Sequence, residues 1–173
     1  MSMTTIRSKV HRQGGFSLIE VLIVILVLGL LMAIAVPSFL GARRNGQDSQ
    51  AQSSARSALS AQRTHYIDYQ QYSTDQAALR KIESNLTWDT TDATQNGVMA
   101  ALGASSQVVV LVSTSKSGNQ FCIMNIAQDM GSAVNGETLA GTYYAKTTGV
   151  TTPLTSVGTG ACGSSYSRSD APW

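Results

Sequence analysis

The chain has 173 residues, of which twelve are Lys or Arg and ten Asp or Glu, for a formal net charge of +2, and two are cysteines. That length suits one modest domain beside a single membrane-crossing helix. The nearly balanced charge argues against a general nucleic-acid surface, and two cysteines outside any CxxC argue against a structural metal module.

Met1 to Gly15 carries Arg7, Lys9, His11 and Arg12, has no acidic residue, and ends in Gly14-Gly15. A basic segment before an apolar run also describes a secretory signal peptide, but small residues should then follow the apolar run, and here they precede it. Loss of residues 1–15 removes three of the twelve cations and leaves nine basic against ten acidic residues, a net charge of −1.

The next stretch, Phe16 to Leu40, reads FSLIEVLIVILVLGLLMAIAVPSFL and has no polar side chain from Val21 to Val36. At about 1.5 Å per helical residue it is long enough to cross a bilayer core of roughly 30 Å. Glu20 stands inside it, where an unpartnered charge costs on the order of 2.5 to 3.5 kcal/mol. No Lys or Arg occurs between Arg12 and Arg43, so the neutralising cation must come from elsewhere. Cleavage after Gly15 would place the new amine of Phe16 four residues from Glu20, about one helical turn away. One helix's amine could then neutralise the carboxylate of a neighbouring helix.

The segment GGFSLIEVLIVILVLGLLMAIAVPSFLGAR resembles the amino-terminal signature of type IV pilins and of the related pseudopilins of type II secretion. The resemblance covers roughly Gly14 to Arg44; the remainder is similar only in general plan. It implies an α+β pilin fold, a long helix packed under a carboxy-terminal antiparallel sheet of about three to four strands. It also implies that a prepilin peptidase cuts between Gly15 and Phe16 and methylates Phe16, and that Glu20 serves filament assembly. The partners implied are further copies of the chain, the peptidase, an inner-membrane assembly platform, and membrane lipid before assembly. In related filaments the helix is locally unwound between a matching Gly and Pro, which corresponds here to Gly29 and Pro37. The implied location is the cytoplasmic membrane with the leader inside, then a surface fibre, or the periplasm for a pseudopilin. Charge alone orients the helix weakly, because Arg43 and Arg44 just beyond it compete with the leader cations.

The organisation expected is a leader at 1–15, a transmembrane or filament-core helix at 16–40, an amphipathic continuation at 41–70, and a head at 71–173. Gly29-xxx-Ala33 permits close helix approach, and Pro37 should kink or loosen the helix. Beyond Leu40, Ala51, Ala55, Ala58, Leu59, Tyr66 and Tyr69 form a narrow apolar stripe interrupted by Gln62, with Arg56, Arg63 and Gln70 on another face. The tyrosines Tyr66, Tyr69 and Tyr72 suit packing against a sheet better than electron transfer.

Residues 71–106 read as a mixed connector with a short helix near Asp75 to Glu83. Asp89 and Asp92 within it lack the loop of a calcium site. Strands are expected at Gln107 to Thr114, Gln120 to Ala127 and Gly141 to Thr147, with a turn at Lys116 to Asn119. Short connections make them antiparallel, one face covering the helix. On the second strand Phe121, Ile123 and Asn125 fall on one face and Cys122, Met124 and Ile126 on the other.

The tail 148–173 is rich in Thr, Ser and Gly. Cys122 and Cys162 in an exported domain suggest a disulfide, with two buried free thiols as the alternative. In pilins the matching carboxy-terminal loop is often bounded by a disulfide, which agrees with that pairing.

Gly158 to Gly163 reads GxGxxG but lies in the tail rather than between a strand and a helix, so no dinucleotide site is inferred. Asn85-Leu86-Thr87 is a formal glycosylation sequon, but such triplets also arise by chance, and the sequence alone carries no glycosylation call. His65 is the sole His of the processed chain, and no metal-spaced cluster or nucleophile elbow accompanies it. The sequence therefore predicts a structural protein without catalytic residues, cofactor or metal. A pilus subunit is the leading reading and a type II secretion pseudopilin the alternative. Glu20 weighs against a tether that never polymerises.

Overall fold

The computed structural model describes residues 15–88, 97–103, 106–129, 131 and 138–148. The first element is helix α1, Leu18–Tyr69, and the chain divides at Gly41 into two compact units, Met1–Gly41 and Ala42–Trp173.

In the first unit every described residue is exposed. Its helix has no core to explain it: long apolar side chains with good helical preference dominate, and every backbone bond is internal, as lipid demands. Pro37 lies inside α1 and the backbone stays helical on both sides of it. The loosening expected between Gly29 and Pro37 is therefore not an interruption of the helix in this single chain.

The second unit is two-layered on its helical side. The α1 residues Ala51, Ala55, Ala58, Leu59, Ala61, Gln62 and His65 are buried. Ala55, Ala58 and Ala61 among them join the first core cluster, so a stripe of modest hydrophobicity is still buried. Tyr69 departs from the expected stripe. It is 64% exposed and stacks on His65 at 4.6 Å between ring centroids, because α1 ends there.

Gln62, which interrupts the stripe in the sequence, is fully buried. Its Nε2 donates to the Ser73 carbonyl at 2.6 Å and its Oε1 accepts from the Ser73 N–H at 3.1 Å. A buried amide is tolerated because both its ends are bonded. The chain reverses at Gln70, which has φ of 55°, and the Gln70 side-chain amide donates to the carbonyls of Tyr66 and Ile67 near the helix end.

Helix α2, Gln76–Ile82, sits within the expected segment. Asp75 caps it by accepting from the Ala77 N–H at 2.9 Å, an ordinary N-cap arrangement.

Five strands follow: β1 (Thr87–Trp88), β2 (Gly97–Leu102), β3 (Val108–Thr114), β4 (Gln120–Ile126) and β5 (Gly141–Thr147). They form one sheet in chain order, with β1 parallel to β2 and the other pairs antiparallel. Strands β3, β4 and β5 lie where expected. The connector, by contrast, contributes β1 and β2, so among the described residues the sheet has five strands and is mixed rather than a purely antiparallel one of three or four. The β2 sequence GVMAAL has Gly and two Ala, residues of poor strand preference. Its pairing with Val109 to Ser113 of β3 overrides that local weakness. At the β2–β3 turn only Gly fits at 103, since a Cβ there would lie 2.9 Å from the Val108 Cβ.

Val98, Ala100, Val109, Leu111 and Ile123 face the helix with Ala55, Ala58, Leu59, Leu79 and Trp88. The opposite parity, Met99, Val108, Val110, Val112, Cys122, Met124, Ile126, Tyr143 and Ala145, forms a second buried cluster. The alternation expected along β4 holds for Ile123 against Cys122, Met124 and Ile126. Burial on both faces differs from the one-sided sheet expected from the strand pattern. Each buried aliphatic side chain contributes on the order of 1.5–3 kcal/mol.

Candidate assembly site

The residues singled out in the sequence gather at the start of the chain. Gly15 and Phe16 are exposed, Phe16 at 82%, and α1 begins two residues later. The N–H groups of Glu20 and Val21 both donate to the Ser17 carbonyl, at 3.0 and 3.3 Å, closing the first turn. Glu20 thus stands in the first turn, where the partial positive charge of the helix amino end favours a carboxylate. It is exposed, and among the described residues no cation pairs with it.

Around it the apolar side chains have nothing to cover them. Leu18, Ile19, Val21 and each large apolar residue on to Leu40 are at least 48% exposed. Monomeric soluble proteins rarely expose an apolar surface of this extent. Such a surface is stable in lipid or against identical helices, and Glu20 is its one charged side chain. Gly29 lies within this surface, and nothing stands within 4 Å of where its Cβ would be. A second helix could approach there.

Residues 10–36 match the family model described as the prokaryotic N-terminal methylation motif, which spans Gly15, Phe16 and Glu20. The chain is 31% identical over 109 residues to the type IV wide pilus major component PilA4 of Thermus thermophilus, covering 60% of this chain and 83% of that protein. The chain belongs to the type IV pilin family. It is also 34% identical over 62 residues to the type IV major pilin protein PilA of Myxococcus xanthus, covering 36% of this chain and 28% of that one. A third relative is the type II secretion system core protein G of Pectobacterium carotovorum, 30% identical over 77 residues, or 44% of this chain and 49% of that protein. The pilin family is structural, and its fold of a long helix with a carboxy-terminal sheet is the one found here.

The other candidate residues are distributed through the pilin head. Cys122 is fully buried in the second cluster and is disulfide-bonded; Cys162 lies outside the described residues. Asp89, Asp92 and the Gly158 to Gly163 segment lie outside them too. Tyr66 and Tyr72 have ring centroids 4.8 Å apart. The Tyr66 hydroxyl donates to Gln107 Oε1, and the Tyr72 hydroxyl to Asn125 Oδ1. Asn125 Nδ2 in turn donates to the Gly141 carbonyl at 3.2 Å and to Thr142 Oγ1 at 2.7 Å. Tyr66 thus ties the end of α1 to Gln107 just before β3, and Tyr72 ties the segment after α1 to β4 and, through Asn125, to β5, as expected of side chains packed against a sheet.

Asp48 is a residue the sequence reading missed. It accepts from Ser117 Oγ and from Asn119 Nδ2, the latter at 2.7 Å, so the helix holds the β3–β4 turn. Burial alone would raise the Asp48 pKa, but bonds from Ser115, Ser117 and Asn119 and the charge of Lys146 outweigh it, leaving the group below its ordinary value. The available signal was periodicity: the stripe Ala51, Ala55, Ala58 extended back one step reaches position 48.

Proposed function

We infer that the chain is the structural subunit of a type IV pilus, polymerised through its amino-terminal helix into a surface fibre. The observation that carries this reading is the uncovered apolar surface from Phe16 to Leu40 with one carboxylate, Glu20, in its first turn. The similarity to pilus components supports it.

In this reading a prepilin peptidase removes residues 1–15 and methylates Phe16. Before assembly the helix spans the cytoplasmic membrane, leader inside, and is handed to an inner-membrane platform. The α-amine of Phe16 in one subunit then pairs with Glu20 of another. In a low-dielectric surrounding that pair must be matched, since removing one member strands the other at about 3 to 5 kcal/mol. Helix unwinding between Gly29 and Pro37 accompanies packing in the fibre. Adhesion, twitching motility and DNA uptake are the uses open to such a fibre.

The similarity to protein G of type II secretion favours a second reading, a periplasmic pseudopilus. Both are tested by expressing Glu20→Gln alone and beside wild type, and assaying cleavage, membrane level and sheared fibres. Cleaved mutant that accumulates in the membrane without entering fibres is the expected result. Normal fibres from the mutant alone would overturn the assembly role. Loss of protein secretion without loss of surface fibres, on deletion of the gene, would favour the pseudopilus.

A further inference from the structure

The sequon Asn85-Leu86-Thr87 is the single Asn-x-Ser/Thr triplet in the chain, and the fold presents it in an unusual way. It occupies the turn between α2 and β1. Glu83 ends α2 with its N–H donating to the Leu79 carbonyl at 2.9 Å. The Trp88 indole Nε1 donates back to the Glu83 carbonyl at 3.4 Å, and Arg80 Nη2 donates to the Trp88 carbonyl at 3.4 Å. Leu86 packs against the first core cluster and Trp88 is 2% exposed. The peptide is thus pinned on both sides of the triplet's reactive positions.

Between those anchors Asn85 and Thr87 are both exposed. Neither side chain makes a hydrogen bond with any described residue, so a group attached to the Asn85 amide displaces no contact seen here. Thr87 begins β1, which pairs with β2 and stands at the end of the strand order among the described residues. Exposed sheet edges invite pairing with other chains, and a bulky polar group beside one blocks that.

We propose that Asn85 is an N-glycosylation acceptor, and that its glycan shields the β1 edge of the head. The donor class is an oligosaccharide carried on a polyprenyl diphosphate. The Asn85 Nδ2 forms a bond to the sugar C1 as the bond from C1 to the diphosphate oxygen breaks. The diphosphate leaves on the lipid, and the amide proton passes to a base of the transferase. The Thr87 hydroxyl is the recognition group two residues on. The proposal requires the head to lie on the far side of the membrane and so rests on the orientation in the proposed function, but fibre formation does not depend on it.

The experiment is intact-mass analysis and site-localising fragmentation of the protein from its native membranes and fibres. The expected result is a saccharide increment on the peptide containing Asn85, abolished by Asn85→Gln and by Thr87→Val and retained by Thr87→Ser. Retention in the Ser variant separates hydroxyl recognition from a structural effect at the strand edge. An unmodified Asn85 in the wild-type protein overturns the proposal, as does an increment that survives Asn85→Gln. Fibres lacking any saccharide would refute glycosylation while leaving the pilus reading intact; absence of fibres with a modified Asn85 would do the reverse.

Discussion

Asp48 and Asn119 lie 71 positions apart in the chain, and the carboxylate of one accepts from the side-chain amide of the other at 2.7 Å. With the Ser117 hydroxyl on its other oxygen, Asp48 fastens the amphipathic part of α1 to the turn between β3 and β4. The same turn needs Gly118, whose φ of 90° suits no other residue well.

Asp48→Ala is expected to destabilise a soluble fragment starting at Arg43 by about 1 kcal/mol, a modest figure because the group is partly exposed to solvent. The Asp48 pKa is depressed in the fold, so its contribution is present above the unfolded carboxylate range and lost as pH falls through the folded value. The difference between wild type and variant should be full at neutral pH and vanish in acid. Denaturant unfolding at a series of pH values measures it; a difference independent of pH would show that the charge is irrelevant.

Tyr72 runs the opposite way. Burial, foremost, together with the nearby Tyr66 raises its pKa to about 12, against a lowering by Arg63. The neutral phenol is favoured in the fold, so the stability it supplies is present below the unfolded value, about 10, and declines as pH rises towards about 12. A spectrophotometric titration should reveal one late tyrosine that Tyr72→Phe removes. That variant leaves Asn125 Oδ1 without its donor and should cost about 1–3 kcal/mol.

The burial of α1 alanines in the first cluster gives a steric expectation. Ala55 is fully buried among Ala58, Leu59 and the sheet residues of the first cluster. Ala55→Leu should destabilise by about 1–3 kcal/mol through overpacking, and Ala55→Ser by less. Thermal unfolding of the same fragment distinguishes them, and a neutral Leu variant would mean that the packing there is loose.

Processing is read by mass. Protein from fibres or membranes should lack residues 1–15 and carry a methyl group on Phe16, while a bulky residue in place of Gly15 should block the cut. Retention of Met1 to Gly15 in surface fibres would end the pilin-type account of the leader.

A Cys122–Cys162 disulfide is expected to appear in non-reducing peptide maps. Closing the 40-residue interval between them restricts the unfolded chain, so Cys162→Ser should lower stability by roughly 2–4 kcal/mol. A Cys162 that alkylates freely in the native protein would contradict the pairing.

The sequence by itself determined the parts of this protein whose physics is local. An apolar run with one carboxylate behind a basic leader is legible because membrane insertion responds to composition along a single helix. The span of α1, the capped α2 near Asp75 and the strands β3, β4 and β5 were legible too, since periodicity and β-branched residues act within a few positions. The tertiary structure alone decided that GVMAAL is a strand and that Thr87–Trp88 adds a parallel edge, because both depend on pairing partners rather than on their own preferences. It likewise converted Gln62 from an interruption into a clasp on Ser73 and Asp48 into a clamp on a distant turn. Polar side chains of that kind carry no periodic signal, and their value exists only once a backbone group or side chain far along the chain has been brought within hydrogen-bond reach.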